Sequence, residues 1–273
     1  MNGPDGPDAG PAEERRVAVI SGAGSGMGQA CAVRLASTGY QIAALDVSAD
    51  GLRATSEQVE CAGARCLPLQ VDVADEHEVD TAMARVGAEL GRPYALALAA
   101  AVYPPPVTVA GITSAELHRV FGVNVFGVIY CVRAALRLMT GDTVSETTGS
   151  ESTDGGRIVL WSSTGAHVSK GGMAAYCASK AAIESLGRTL AVEVGEYGIT
   201  VNVIVPGTID TPMIAGTDLQ RYRDHLPARH VAGPDEVAAL VEFLCRPDAR
   251  YLTGSGIVID GGFLAMHRFA SAQ

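Results

Sequence analysis

The chain has no surplus of basic residues. Its 273 residues include 30 Asp and Glu against 20 Lys and Arg, which gives a formal net charge of −10 at pH 7. Proteins that bind nucleic acid or an anionic membrane surface unaided rely on clustered Lys and Arg. The composition therefore argues against both kinds of partner and favours a small molecule.

The chain also lacks a cysteine framework. Its six cysteines are scattered, with no pair at zinc-ligand spacing and no dense pattern that would staple a small secreted domain. We expect no metal site and reduced cysteines that lie mostly in the core. The N-terminal region is rich in Gly, Pro, Asp and Glu and shows no basic region followed by an apolar run, so we expect no secretory signal and a cytoplasmic location.

Long hydrophobic runs are missing as well. The longest apolar stretch lies around residues 94–102, far short of the roughly 20 residues that a membrane-spanning helix needs. It has the length of a buried strand. A hydrophobic content of 48% over this length can nevertheless bury a substantial core.

What is present is an alternation of strand-length apolar runs and helix-length amphipathic segments from residue 15 onwards. The predicted strands cover residues 17–21, 41–46, 66–71, 95–100, 157–162, 200–205 and 256–259. The predicted helices cover residues 28–37, 51–62, 76–90, 114–139 and 175–195. This order predicts right-handed βαβ units, and hence a single α/β domain over residues 15–273 with a doubly wound parallel sheet of about seven strands and helices on both faces.

Three segments fall outside this pattern. Residues 1–14 are rich in Gly, Pro, Asp and Ala, which predicts a disordered tail. Residues 141–156 hold Ser, Thr, Glu, Asp and Gly almost exclusively, which predicts a flexible surface insertion. Residues 210–233 mix Pro, Gly, apolar and basic residues, and we expect them to form a lid over a substrate.

A glycine-rich turn follows the first predicted strand and leads into a helix. Backbone amides and the helix N-terminus in such a turn can hold a pyrophosphate, because missing side chains let the phosphates approach closely. A tight turn without a ligand would use the same residues, but the strand–turn–helix context favours a dinucleotide. The candidate contacts are Gly22, Ser25, Gly26, Met27 and Gly28.

Asp46 ends the second predicted strand, where a carboxylate can accept hydrogen bonds from a ribose diol. It also repels a 2′-phosphate, and Val47 offers no guanidinium to receive one. The pair therefore favours NAD(H) over NADP(H). Asp72, with Val73 behind the third strand, is a candidate to bind an adenine edge, or alternatively a helix N-cap.

Tyr176 and Lys180 lie four residues apart in a predicted helix, so their side chains share one face. Alone, this spacing is typical of many solvated pairs. Ser163 strengthens it, because it follows a strand at the sheet edge where ligands collect. Hydride transfer to a carbonyl leaves an alkoxide that needs a proton, and a phenol next to an ammonium can supply it at a lowered pKa.

Ser163 would hold the substrate oxygen in this scheme. Asn124, in the middle of a long predicted helix, would organise a water that links Lys180 to solvent; the alternative is an amide packed against backbone.

Together, Gly22-x-x-x-Gly26-x-Gly28, Asn124, Ser163 and Tyr176-x-x-x-Lys180 make the chain resemble the short-chain dehydrogenase/reductase family over residues 15–262. The resemblance implies a single Rossmann-type domain and assigns the family's Asn-Ser-Tyr-Lys tetrad to these four residues. It implies that Tyr176 and Lys180 also contact the cofactor. It places four further residues near the nicotinamide: Pro206, Gly207, Ile209 and Thr211. Family members commonly form tetramers through two long helices and the last strand, so we expect a homotetramer or a dimer.

One motif departs from the family. Where an Asn-Ala-Gly is usual after the fourth strand, this chain has Ala99, Ala100 and Ala101. We expect altered cofactor packing there, with Ala99 and Ala101 still in contact through backbone.

The substrate pocket is expected to include Tyr103, Thr164, His167 and Met213. It is mostly apolar, which favours an NAD(H)-dependent oxidoreductase acting on a free secondary alcohol or ketone of moderate size.

Two alternatives remain. Reduction of a 3-oxoacyl group on a carrier protein is second, because the end of the catalytic helix carries Glu193 and Glu196 where such reductases tend to have basic residues. A non-catalytic NAD(H)-sensing protein would fit the altered alanine motif but would not need the filled tetrad.

Overall fold

A computed structural model describes residues 15–141 and 154–266 of the chain. The tail predicted for residues 1–14 and most of the insertion predicted for residues 141–156 lie outside the described residues. The seven strands are Val17–Ser21 (β1), Gln41–Asp46 (β2), Cys66–Gln70 (β3), Pro93–Leu98 (β4), Gly156–Trp161 (β5), Ile199–Pro206 (β6) and Gly256–Ile259 (β7). Each predicted strand is present with its bounds within two residues.

The strands form one sheet in the order β3-β2-β1-β4-β5-β6-β7, with every neighbouring pair parallel. The chain thus winds in one direction from β1 to β3 and in the other from β4 to β7. In such a sheet a crevice opens outside the carboxyl ends of the strands where the winding reverses, here between β1 and β4. The predicted doubly wound, Rossmann-type parallel sheet is confirmed.

The eight α-helices of the described residues are Gly26–Ser37 (α1), Ala49–Cys61 (α2), Glu76–Glu89 (α3), Ser114–Phe121 (α4), Gly127–Thr140 (α5), Ala174–Glu193 (α6), Leu219–His225 (α7) and Pro234–Cys245 (α8). The helix predicted over residues 114–139 is continuous but contains a π-helical segment, Gly122–Phe126, between α4 and α5. We did not predict α7 or α8. The start of α8 has recognisable signals, since Pro234 occupies its first turn together with Asp235 and Glu236.

The sheet has a hydrophobic core on each face. Along β1, Val17 and Val19 pack into one core while Ala18 and Ile20 pack into the other. This division follows from the period of two in a strand, and a strand buried on both sides needs apolar residues at every position. Helices α3, α5 and α6 cover the first face, and α1, α2 and α8 cover the second.

The helical run Ser114–Thr140 is, among the described residues, the one stretch long and apolar enough to cross a membrane by length and composition. We had identified residues 94–102 as the longest apolar stretch. Half of the most apolar window of this run is buried inside the fold, and α5 contributes Val132, Ala135 and Met139 to the core. Its apolar character is that of a core helix.

Helix α6 lies close to the sheet because of Gly187. A Cβ atom at this position would stand 2.4 Å from Val203 Cγ2 on β6, so no side chain fits there. Ile183 and Leu190, one turn to either side, are buried against the same face. The approach brings the first turns of α6, which carry Tyr176 and Lys180, next to the end of β5.

Gly187→Ala tests this packing. We expect it to lower the free energy of unfolding by about 1–2 kcal/mol, because overpacking against Val203 outweighs the gain in helix propensity. Gly195→Ala is the matched control, since a Cβ atom there meets nothing within 4 Å and the position is exposed. Urea unfolding measures both variants. Equal stability changes in the two would show that α6 does not depend on this contact.

Candidate active site

The carboxyl ends of the strands border two adjoining clefts. The first has a volume of about 420 Å³ and lies outside β1, β2 and β4. The second has a volume of about 820 Å³ and lies outside β5 and β6. Both are lined by Met27, Thr211 and Met213, so a molecule in one cleft can contact a molecule in the other.

The glycine-rich turn lines the first cleft and opens α1. Gly22 and Gly26 have φ values of +69° and +54°, which favour glycine, and a Cβ atom at Gly28 would stand 2.1 Å from the Gly22 carbonyl oxygen. Ser25 stands at the N-cap of α1 but makes no capping hydrogen bond, and the first turn holds no acidic residue. The positive end of α1 is therefore left for an anion, and the turn fits a pyrophosphate as predicted.

Other helices differ from α1 in this respect. Ser48, Asp75, Thr113 and Asp218 each accept a hydrogen bond from a backbone N–H in the first turn of α2, α3, α4 and α7. Asp75 is thus the cap of α3, and the alternative interpretation of Asp72 as an N-cap is wrong. Asp72 instead accepts a hydrogen bond from the Ala74 N–H at 2.9 Å and lines the first cleft, as do Val71 and Val73.

Asp46 lies in the first cleft with a fixed orientation. Its Oδ2 accepts a hydrogen bond from the Gly24 N–H at 2.9 Å, and its Oδ1 accepts one from the Ser48 N–H at 2.9 Å. Gly24 has no room for a side chain, because a Cβ atom there would stand 2.7 Å from Asp46 Cγ. Each oxygen keeps further acceptor capacity for a ribose hydroxyl. Val47 beside it is exposed and lines the same cleft.

The alanine segment after β4 forms another wall of the first cleft. The Ala99 N–H donates to the Ser21 carbonyl oxygen at 3.1 Å, and the Ala100 N–H donates to Ser21 Oγ at 3.3 Å. Ala99 and Ala101 line the cleft, as predicted. The segment is therefore held through its backbone despite the missing amide side chain.

Asn124 fixes the far end of that segment. Its Oδ1 accepts from the Val102 N–H at 2.8 Å, and its Nδ2 donates to the Val102 carbonyl oxygen and to Ser179 Oγ, both at 3.1 Å. The side chain is fully buried and both donors of its amide are used in these contacts, while the water that we predicted it would organise stays a prediction. The amide is packed against backbone, as in our alternative interpretation. It lies in the π-helical segment, a local structure that occurs frequently at functional sites.

Ser163, Tyr176 and Lys180 are brought together at the edge of β5. Ser163 follows the strand directly, Tyr176 lies in the first turn of α6 and Lys180 one turn later. Ser163 and Tyr176 both line the second cleft, close enough for the Ser163 hydroxyl to influence the pKa of the phenol. Lys180 is buried beneath them: its Nζ donates to the Trp161 carbonyl oxygen at 3.0 Å and lies 5.8 Å from the centre of the Tyr176 ring.

Burial dominates the acidity of both groups. It raises the pKa of Tyr176 to about 12, while the nearby Ser163 hydroxyl acts in the opposite direction. Burial also lowers the pKa of Lys180 to about 8. We had predicted that Lys180 would lower the pKa of the phenol. The net shift is in the opposite direction, because removing the phenolate from water raises the pKa more than the neighbouring groups lower it.

The second cleft contains three of the four predicted pocket residues, Tyr103, Thr164 and Met213. His167 is the exception. Its Nε2 lies 2.9 Å from Glu184 Oε1 on α6, and its side chain does not line the cleft. Glu184 also accepts a hydrogen bond from Ser162 Oγ at 2.7 Å, so His167 belongs to a polar cluster beside the site.

The residues predicted near the nicotinamide and the lid also border the second cleft. Pro206, Gly207, Ile209 and Thr211 line it after β6. The segment predicted as a lid, residues 210–233, contains α7 and supplies Tyr222 and Leu226. Sequence reasoning missed Lys170, Cys177, Phe263, Leu264 and Met266, which also line the cleft. The last three follow β7, and no pattern in the chain assigns them to a pocket.

Apart from Cys177, which lines the second cleft, the cysteines line neither cleft. Cys31, Cys131 and Cys245 are buried, Cys66 and Cys177 are half-buried, Cys61 is exposed, and all six are free thiols. Over residues 15–141 and 154–266, no three His, Cys, Asp or Glu side chains are grouped so that they could hold a metal ion.

The chain is similar in sequence to known proteins over most of its length. Residues 22–264 match a family model described as "Enoyl-(Acyl carrier protein) reductase". The chain is 34% identical to cis-4-hydroxycyclohexanecarboxylate dehydrogenase of Sinomonas cyclohexanicum, over 94% of this chain and 100% of that protein. It is 32% identical to levodione reductase of Leifsonia aquatica, over 90% of this chain and 93% of that protein.

Solved structures agree with the fold. The crystal structure of levodione reductase superposes with a TM-score of 0.83 at 31% identity, covering 92% of this chain and 98% of that one. A short-chain dehydrogenase/reductase from Serratia marcescens gives a TM-score of 0.81 at 31% identity, covering 91% and 97%. With a family model and such relatives spanning nearly the whole fold, the chain belongs to the short-chain dehydrogenase/reductase family, oxidoreductases that use a nicotinamide cofactor.

Proposed function

We propose that the protein transfers a hydride between NAD(H) and the carbinol or carbonyl carbon of a secondary alcohol or ketone of moderate size. The reaction is R₂CHOH + NAD⁺ ⇌ R₂C=O + NADH + H⁺. One observation carries the proposal: Tyr176 and Ser163 both lie in the wall of the second cleft, which adjoins the first cleft beside the glycine-rich turn. A substrate oxygen at this wall meets both hydroxyl groups at once.

The side chains divide the proton chemistry between them. Ser163 holds the substrate oxygen by a hydrogen bond, and Tyr176 gives a proton to that oxygen in reduction or takes one in oxidation. The raised pKa of Tyr176, about 12, keeps the phenol protonated at neutral pH, ready to donate. The Lys180 ammonium, 5.8 Å from the ring centre, stabilises the phenolate that donation leaves. A bound nicotinamide supplies the hydride or accepts it.

The first cleft supports NAD(H) over NADP(H). Asp46 directs a carboxylate to the place of a ribose diol, and Val47 next to it carries no positive charge. A 2′-phosphate beside Asp46 would therefore meet a negative charge, and Arg119, which also lines this cleft, is paired with Glu116 Oε1 at 3.2 Å. Asp72, Val73, Ala99 and Ala101 would complete the adenosine side of the same cleft.

The relatives support a free, compact substrate. The two relatives described above are named for activity on cis-4-hydroxycyclohexanecarboxylate and on levodione. Carrier-bound 3-oxoacyl reduction is the second candidate, favoured by the carrier-protein description of the family model. Against it, the end of α6 presents exposed Val192 and Glu193, followed by Glu196, and these acidic groups would repel an acidic carrier. A cofactor-sensing role without turnover is disfavoured because all four tetrad positions are filled.

Assembly into a homotetramer or a dimer belongs to the same proposal. The family resemblance implies contacts between subunits through two long helices and the last strand. Exposed apolar side chains on these elements support such an assembly: Phe126 and Ile129 around the start of α5, Val192 on α6 and Val258 on β7. A cytoplasmic location remains an expectation from the sequence.

Tyr176→Phe tests the proposed reaction. The wild-type protein is expected to turn over members of a panel of secondary alcohols and ketones, read by nicotinamide absorbance. Without the phenol, turnover should fall by about 10²–10⁴-fold, because the general acid is lost. NADH affinity, measured by calorimetry, should persist. Cys177→Ser is the matched control: it changes the adjacent cleft residue and should retain activity. A wild-type protein that binds NADH but turns over no alcohol or ketone of the panel would indicate a non-catalytic NAD(H)-sensing protein instead.

The paired substitution Asp46→Ser with Val47→Arg tests cofactor choice. Wild-type protein should prefer NADH to NADPH by at least about tenfold in kcat/KM, a loss of about 1.4 kcal/mol for an unpaired phosphate. The double variant should remove or reverse this preference, since it deletes the repelling carboxylate and adds a guanidinium. Val47→Arg alone keeps the carboxylate and separates the two effects. A wild-type preference for NADPH would contradict the role assigned to Asp46.

A further inference from the structure

Lysine occurs only twice in the chain, at positions 170 and 180, against 18 arginines. Lys180 lies beneath the reacting phenol. Lys170 lies in the loop between β5 and α6 and lines the second cleft. Nothing in the mechanism above uses it.

Among the residues that the structure describes, Lys170 is the only charged one on the wall of the second cleft. The other side chains that the described part of the chain contributes to this wall are apolar, hydroxyl-bearing or thiol-bearing, with no Asp, Glu, Arg or His among them. A chain with a formal charge of −10 therefore exposes a single positive group to its substrate. An isolated cation in an otherwise uncharged pocket selects for a ligand with one negative charge.

The contacts of Lys170 point it towards the reacting centre. Its Nζ donates to Tyr103 Oη at 3.2 Å and lies 5.9 Å from the centre of that ring. The Tyr103 ring in turn packs edge-on against Tyr176, with 4.9 Å between ring centres and 79° between planes. The ammonium thus stands one aromatic ring away from the proton-donating phenol.

Lys170 is also available to a ligand. Within the described ranges it forms no ion pair, and the titratable groups that affect it are Tyr103, Tyr222 and Cys177, none of which is a carboxylate. The hydrogen bond with Tyr103 raises the pKa of Lys170, so the group is an ammonium at neutral pH. An ammonium has three N–H donors, and one contact with Tyr103 leaves two.

We propose that the substrate carries a carboxylate that Lys170 binds, while its carbonyl or hydroxyl group reaches Ser163 and Tyr176. The inference rests on the proposed function, since it names the class of substrate for the same cleft. A monoanion suits a single ammonium, whereas a phosphate is typically held by several donors or a guanidinium fork. Tyr103 then has a second role, because it holds the ammonium at a set distance from the phenol.

A matched pair of ligands tests the charge directly. Cyclohexanecarboxylate and cyclohexanecarboxamide have nearly the same shape and no reacting hydroxyl, so calorimetry on the NADH-loaded protein measures binding without turnover. The acid should bind wild-type protein more tightly than the amide. Lys170→Met should weaken the acid about tenfold, as expected for one charge-assisted hydrogen bond at an exposed site, and leave the amide unchanged.

Two further variants serve as controls. Lys170→Arg keeps a cation and should retain most of the preference for the acid. Arg250→Met removes one positive charge from an exposed position that lines neither cleft, and it should leave the affinities for the acid and for the amide unchanged. A loss in Arg250→Met equal to that in Lys170→Met would mean that only the net charge matters, which would overturn the inference.

The inference and the proposed function can fail separately. Equal binding of acid and amide, or no measurable binding of the acid, overturns the carboxylate site, even where neutral ketones are reduced. Lys170-dependent binding of the acid together with no turnover of any alcohol or ketone keeps the anion site and overturns the reaction.

Discussion

The site depends on one buried hydrogen bond, from Lys180 Nζ to the Trp161 carbonyl oxygen at 3.0 Å. It joins α6 to the end of β5, and the Ser162 hydroxyl reinforces the join, because its one hydrogen is shared between the Lys180 carbonyl oxygen at 3.0 Å and Glu184 Oε1 at 2.7 Å. The bond places a cation out of water, which disfavours its charged form, as the lowered pKa of Lys180 shows. A packed apolar side chain at position 180 would stabilise the core more than a buried ammonium does. We therefore attribute the lysine at this position to its chemical role rather than to stability.

A second buried group, the Asn124 amide, connects the two clefts. It holds Val102, at the end of the alanine wall of the first cleft, and Ser179, next to Lys180 on α6. The wall for the cofactor and the helix that carries the phenol are thus fixed to one side chain. This arrangement explains how the alanine segment keeps its place without the amide and glycine usual in the family.

Much of the fold follows from local patterns, and the rest depends on contacts between distant residues. The strands Val17–Ser21, Gln41–Asp46 and Gly256–Ile259 have the predicted bounds, because continuous apolar runs between turn residues leave little choice. The partner of His167 is Glu184, on a different element, and no spacing rule connects them. The pKa of Tyr176 was predicted in the wrong direction because sequence shows a neighbouring Lys180 but not the burial of the phenol. Lys170 went unnoticed for the same reason: only the folded chain shows that the rest of its cleft is uncharged.

We propose that a hydride passes directly between a substrate carbon and the nicotinamide while Tyr176 donates or accepts the proton. The most direct measurement follows a secondary alcohol deuterated at its carbinol carbon through oxidation with NAD⁺. With protein prepared and assayed in ordinary water, the deuterium should appear on the reduced nicotinamide ring and the hydroxyl proton should be released to solvent. Recovery of the deuterium in water, or unlabelled NADH from the deuterated alcohol, would contradict it.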